Sequence, residues 1–192
     1  MTRLRLFALC VLCVGITAAA RADVIPTFTS ANPLGANFTW DYTTNVTVDQ
    51  MVQKGDFFTI YDFGNFVSGS NTQPTGWTFS SALTGTDPTF VKVSDNPSLT
   101  NLTWTYTGDT PINGSALIGI FSVVTDTNQL RTADFAAQAT RLSGPNAGSK
   151  IDNIGSISVP VPEFSTLLPI IGVCGAAIVG GIPSLRRRQK RA

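Results

Sequence analysis

Short runs in which large apolar residues alternate strictly with small polar ones constrain this chain most. In Asn37-Phe38-Thr39-Trp40-Asp41-Tyr42-Thr43, the residues Phe38, Trp40 and Tyr42 fall on one side of an extended backbone. Asn101-Leu102-Thr103-Trp104-Thr105-Tyr106-Thr107 does the same with Leu102, Trp104 and Tyr106. A helix cannot gather every second residue on one face, whereas a strand does so by its pleat. The two runs share Asn-x-Thr-Trp-x-Tyr-Thr, and their flanks do not repeat. They read either as core strands in similar environments or as an equivalent pair, one per sheet or adjacent, and not as a solenoid.

The remainder of the middle of the chain follows the same rule. Asp23 to Asn32 reads as a lead-in ending in a turn at Asn32-Pro33. Val46 to Val52 alternates and reads as one strand, and Lys54-Gly55-Asp56 as a turn. Asp56 to Phe63 is apolar on both faces and predicts a central strand. Gly64 to Gly76 is a polar loop with Phe66 and Val67 as its strong apolar pair. Trp77 to Leu83, Thr89 to Val93 and Ala116 to Val124 read as strands, punctuated by Asp87-Pro88 and Asp95-Asn96-Pro97. Thr132 to Thr140 fits a strand or a short helix. Ser143 to Ser149 is a loop, and Ile151 to Val159 is the last strand. The expected fold is all-β, a β-sandwich or jelly-roll-like domain over residues 23–159.

Both ends of the chain differ from this middle. Arg3 and Arg5 precede an apolar core, Leu6 to Ala20, and Ala20-Arg21-Ala22 supplies small residues before Asp23. This is the layout of a secretory signal peptide, residues 1–22, cleaved before Asp23 by signal peptidase after passage through the Sec translocon. Cys10 and Cys13 each follow leucine, which argues against a lipoprotein signal. At the other end, Val161-Pro162-Glu163-Phe164-Ser165 lies in a linker, residues 160–166. An apolar stretch follows, residues 167–185, about long enough for a soft transmembrane helix. Arg186, Arg187, Arg188, Lys190 and Arg191 then form a basic tail, residues 186–192, that the positive-inside rule keeps cytoplasmic. A plain stop-transfer anchor and a processed sorting signal both fit this layout. The basic end argues against a lipid-anchor signal, whose hydrophobic tail usually closes the chain.

Val161, Pro162, Glu163 and Ser165, followed by the apolar run and Arg186-Arg187-Arg188, resemble the PEP-CTERM sorting signal of Gram-negative bacteria. Phe164 stands where the usual pattern has a second proline. The resemblance implies processing by an exosortase, a membrane-bound cysteine transpeptidase. It also implies passage through the inner membrane to the cell surface or medium, and a link to exopolysaccharide or biofilm. Glu163 is the one glutamate in the chain.

Removing the two targeting ends exposes a charge asymmetry. Residues 23–166 hold Lys54, Lys92, Arg131, Arg141 and Lys150 against eleven aspartates and Glu163, a net of −7, while the whole chain sums to +1. An acidic exported domain does not suit nucleic acid, which needs a basic face. All three cysteines, Cys10, Cys13 and Cys174, lie in the targeting segments, so packing and strand ladders must hold the domain without a disulfide.

The chain has no histidine. Triads built on histidine, Cys-His pairs and histidine metal sites are therefore unavailable. No catalytic residue is assigned and no enzymatic activity is expected. Asp41, Asp56, Asp62 and Asp134 are of the right type for glycoside hydrolysis, and strand-edge or turn roles explain them more simply. Asp87, Asp95, Asn96 and Asp109 could ligate calcium from loops, although no Asp-x-Asp-x-Asp run exists and Asp-Pro turns explain two of them. Trp77, beside Gly76, is the candidate for stacking on a glycan; Trp40 and Trp104 fit a core. The sequons at Asn37, Asn45, Asn101 and Asn113 matter only in a eukaryotic secretory route. The expected function is thus a structural or matrix protein on the cell surface. The alternatives are a calcium- or carbohydrate-binding adhesion module and an aspartate-based glycan hydrolase.

Overall fold

A computed structural model of the chain describes residues 24–162. Ala20, Ala22, Asp23, Glu163, Phe164, Ser165, the 167–185 stretch and the basic tail lie outside the described residues. Within them every regular element is a strand: β1 Val24–Leu34, β2 Asn37–Val46, β3 Gln50–Val52, β4 Phe57–Phe63, β5 Trp77–Ala82, β6 Thr100–Tyr106, β7 Ile112–Asn113, β8 Ala116–Thr125, β9 Leu130–Arg141 and β10 Lys150–Pro160. Among the described residues, no helix is long and apolar enough to cross a membrane.

The strands form two antiparallel sheets. One has the order β1-β2-β8. In the other, β5-β6-β4 continues to β9, with β3 set beyond β4 along the same side of β9, β7 outside β3, and β10 on the far side of β9. The alternation seen in the sequence places the core. Trp40 and Tyr42 on β2, with Phe121 and Val123 on β8, are buried. They face Phe58, Ile60 and Phe63 on β4 and Leu102, Trp104 and Tyr106 on β6, which are buried too. The two sheets meet through rings: Phe58 lies 4.9 Å from Phe121 edge-on, Trp104 5.7 Å from Phe121, and Trp40 6.1 Å from Phe63. The arrangement is β-sandwich-like. The two echo strands lie one in each sheet, and each carries its tryptophan, Trp40 or Trp104, fully buried.

Three expectations need correction and one alternative is resolved. The segment ending at Asn32-Pro33 is no lead-in but most of β1, which pairs with β2 over its whole length. The turn falls three residues later at Gly35-Ala36, where Gly35 supplies the positive φ (63°) that this two-residue hairpin takes at its first position. The Val46–Val52 run is two strands. The chain leaves one sheet after Val46, turns through Asp49 at φ 64°, and enters the other at Gln50. Alternation survives the sheet change, so periodicity alone could not expose it. Thr132 to Thr140 is strand, inside β9. Thr89 to Val93 is not a strand: its β-favouring residues find no neighbour to pair with, and Phe90 is 77% exposed.

Strand β4 carries the irregularity that shapes one end of the sheet. Its inward residues are Phe58 and Ile60, yet Phe63 also points inward. The parity changes because a bulge separates Ile60 from Phe63, with Asp62 at φ 54°. Aspartate tolerates this left-handed conformation better than most residues.

At the other end of β4 lies a buried ion pair. Asp56 is fully buried and accepts from the Gln53 N–H at 2.9 Å and the Thr140 hydroxyl at 2.9 Å. Its other oxygen contacts the Lys150 ammonium, which also donates to Thr140 Oγ1 at 3.0 Å. The lysine side chain is 36% exposed, so water screens part of the attraction. The change Lys150→Met leaves the buried Asp56 side chain without its ion-pair partner. It should destabilise the domain by about 1–3 kcal/mol in urea unfolding, and adding Asp56→Asn should recover part of that loss.

Candidate functional site

The chain just after β10 and the segment between β5 and β6 make a densely hydrogen-bonded polar region among the described residues. Strand β10 continues to Pro160, and the next residue is still held: Val161 N–H donates to the Gln129 carbonyl at 2.8 Å. Pro160 to Pro162 then pass over Gly64. A Cβ placed on Gly64 would lie 2.7 Å from the Pro160 oxygen and 2.8 Å from the Pro162 nitrogen. Gly64 is therefore glycine because another stretch of backbone crosses it. Val161 and Pro162, the first two residues of the sequence motif, are half-buried on this seat. The rest of the motif lies beyond the described residues.

The seat adjoins the β4 bulge, and Asp62 ties several elements together there. Its N–H donates to Asn101 Oδ1 at 2.8 Å, and its Oδ1 accepts from Asn96 N–H at 2.9 Å. Its carbonyl accepts from the Arg131 guanidinium. Asn101 is 1% exposed and uses its whole amide, since Nδ2 donates to the Leu83 carbonyl at 3.1 Å and Asp95 Oδ1 at 3.0 Å.

These bonds draw residues 83–99 across the outer face of the larger sheet. Thr59 and Tyr61 on β4 and Thr103 on β6 point away from the core and are still buried, because this segment covers them. Thr59 and Thr103 share a hydrogen bond of 2.9 Å, and the Thr59 hydroxyl also reaches the Thr86 carbonyl at 3.0 Å. The Tyr61 phenol lies 2.6 Å from Asp87 Oδ1 and 2.9 Å from the Thr86 carbonyl. One phenolic proton serves both, and the shorter contact is to the carboxylate. Gly85 lies flat on the Tyr61 ring, where a Cβ would come within 2.3 Å of Cε1. Further along, Phe90 N–H donates to Asp152 Oδ2 at 2.6 Å, and Gln138 holds the other Asp152 oxygen at 3.1 Å. The segment thus stretches from β5 to β10.

The acids weighed in the sequence are dispersed over this frame. Asp41 sits on the outer face of the three-stranded sheet, accepting from Ser122 at 2.6 Å, Ser30 at 3.0 Å and Asn32 at 3.1 Å. Asp56 and Asp62 flank opposite ends of β4, about 20 Å apart at the usual strand rise, wider than the carboxylate pairs of glycosidases, about 5–10 Å. Asp134 stands on β9 opposite Ser156. Of the calcium candidates, Asp87 is taken by Tyr61 and Asp95 by Gly85 and Asn101, while Asp109 pairs with Lys54 at 3.0 Å. The Asn96 side chain caps its own turn, accepting from Ser98 N–H at 3.0 Å. Among the described residues, no group of three or more metal-ligating side chains occurs.

All three tryptophans are buried, so Trp77 offers no face to a glycan. It packs on Tyr106 at 5.3 Å and Phe121 at 5.1 Å. Asn101, noted in the sequence for its sequon, is the amide that pins the covering segment. The signal available was an amide among the threonines on the outward face of an alternating strand. Comparison with known proteins adds no relative: no family model, no curated protein and no solved structure matches this chain.

Two outcomes follow from this geometry. Burial, then the hydrogen bond to Asp87, raises the Tyr61 phenol well above its ordinary range, and burial raises Tyr42 as well. The native state therefore keeps protons that the unfolded chain releases above about pH 10. Stability is full below that pH and is lost as pH rises through it. The melting temperature should fall above about pH 10, and less steeply in Tyr61→Phe. Separately, Gly64→Ala must displace the crossing chain. The Val161 amide should then exchange with deuterium much faster, while amides at the centre of β4 stay protected.

Proposed function

We propose that this chain is an exported, non-enzymatic surface or matrix protein of a Gram-negative bacterium. In this reading the Sec route delivers it, and signal peptidase cuts before Asp23. The 167–185 helix and the basic tail of Arg186, Arg187, Arg188, Lys190 and Arg191 then hold it in the inner membrane. An exosortase-type transpeptidase recognises Val161-Pro162-Glu163-Phe164-Ser165 and releases the domain to the surface or the extracellular matrix, where exopolysaccharide is its natural neighbour.

The observation that carries this reading is where the last described strand ends. Strand β10 ends at Pro160 and the motif begins at the next residue. The motif thus starts beyond the sheet, with Val161 and Pro162 seated on Gly64, and an enzyme that takes it must first lift these two residues from their seat. Two further features support the reading. The domain has no cysteine and is built from strands alone among its described residues, which suits an exported structural module. Its outer faces are rich in hydroxyls and amides rather than gathered acids. The Ser30, Asn32, Asp41 and Ser122 network on the three-stranded sheet is of the kind that hydrated polysaccharide contacts. We read the sandwich as jelly-roll-like, since the chain changes sheets from β2 to β3, β7 to β8 and β8 to β9. No cofactor enters this reading.

The test is the intact mass of the protein recovered from the envelope and medium of its host. The reading expects a chain that begins at Asp23 and ends within the motif, alone or carrying an added group. A chain running from Asp23 to Ala192 in both fractions would leave a plain membrane anchor and refute the sorting step.

A further inference from the structure

The exposed strand edges of the molecule are not alike. A free edge presents unpaired N–H and C=O groups that invite another strand, and native proteins normally blunt it. Strand β8 is covered: Val67 N–H donates to the Val124 carbonyl at 2.9 Å, Thr72 and Ser122 exchange bonds of 2.8 and 2.9 Å, and Ser70 Oγ accepts from Val124 N–H at 2.9 Å. Strand β1 carries Pro26 and Pro33 and a register break between Phe28 and Ser30. Strand β10 bears Lys150 and Asp152, ends in Pro160, and lies against β1 across a groove lined by Ile25, Phe28, Ser156 and Ser158. Strand β7 has two residues.

Strand β5, Trp77–Ala82, has none of these devices. It is the terminal strand of the larger sheet and contains no proline, charge or bulge. Its outer backbone groups can be assigned. Tyr106 directs its N–H and C=O to Asp56 and Gly55, on the β4 side, and Thr107 N–H donates to the Gly76 carbonyl. By the alternation of an antiparallel ladder, Thr78, Ser80 and Ala82 bond to β6, while Trp77, Phe79 and Ser81 direct their backbone groups outward.

We propose that β5 is a self-association edge, through which two copies of this chain pair antiparallel about a two-fold axis at Phe79 and join their larger sheets. The row is self-complementary: Phe79 meets Phe79 of the second copy, and Trp77 meets Ser81, so every outward donor finds an acceptor. Two-fold pairing of one patch with itself is the commonest route to a dimer. Charge does not oppose a second copy at this edge. The domain is acidic, so copies repel one another, yet residues 64 to 86 carry no charged side chain. Leu83 and Val67, 56% and 38% exposed, flank the edge and supply apolar area to the contact.

The test is disulfide trapping of the full chain in its host. Cys10, Cys13 and Cys174 are changed to Ala, and Thr78→Cys and Ser80→Cys are introduced. Pairing about Phe79 sets residue 78 of one copy directly opposite residue 80 of the other, at non-hydrogen-bonded positions where side chains approach closely. A cross-linked species of twice the chain mass is expected. Adding Ser81→Pro, which removes an outward N–H and leaves the bonds to β6, should reduce it by about tenfold or more. Ser81→Lys should do the same by charge, with the melting temperature of both variants near that of the parent. Absence of the cross-link in the folded parent, a cross-link insensitive to both Ser81 changes, or a species of any other mass would overturn the proposal.

Discussion

Everything in this domain rests on the meeting of aromatic rings between its sheets. Residues 24–162 contain no cysteine, so no covalent link can compensate for a poor core. Phe121 reaches down from the smaller sheet and touches Phe58, Trp77 and Trp104 at once. Phe58 stacks on Trp104 at 5.1 Å in turn. Edge-on and offset pairs of this kind add about 0.5–1.5 kcal/mol each to the burial of the rings. The small sheet is held as well by Trp40 and Tyr42 against Phe63 and by the Tyr42 hydroxyl donating to the Ser158 carbonyl. The buried indole N–H groups of Trp77 and Trp104 find no acceptor in this cluster, a cost that the packing of the rings offsets.

Much of this was legible beforehand because strand periodicity is a local signal. Phe38, Trp40 and Tyr42, and Leu102, Trp104 and Tyr106, declared their faces by spacing alone. The apolar character of β4 on both faces correctly placed it inside the sheet, though the reason differs from a simple two-layer rule. Its inner face meets the other sheet, and its outer face is covered by irregular chain. The sheet change at Asp49 and the failure of Thr89 to Val93 to pair were not legible, because both depend on which neighbour is present in space.

The polar region was less visible for the same reason. Asp62, Asp87, Asp95 and Asn101 are each unremarkable in the sequence, and their bonds link residues far apart in the chain. Reading acids by type suggested metal ligation or hydrolysis; in space most of them fasten backbone amides and hydroxyls. The glycines carried a stronger signal than was used. Gly64 and Gly85 each lie where another part of the chain approaches too closely for a Cβ. The motif at Val161, by contrast, was read from residue identity, and the structure adds only that its first two residues are seated.

That seat has a thermodynamic corollary. Pro160 to Pro162 cross Gly64, which is two residues from Asp62, and Asp62 in turn fixes the segment that shields the outer face. Displacing the chain at Val161 and lifting residues 83–99 therefore disturb one shared turn. Linkage requires such effects to be mutual. The free energy that couples exit to cover is one quantity, the same whichever of the two is displaced first.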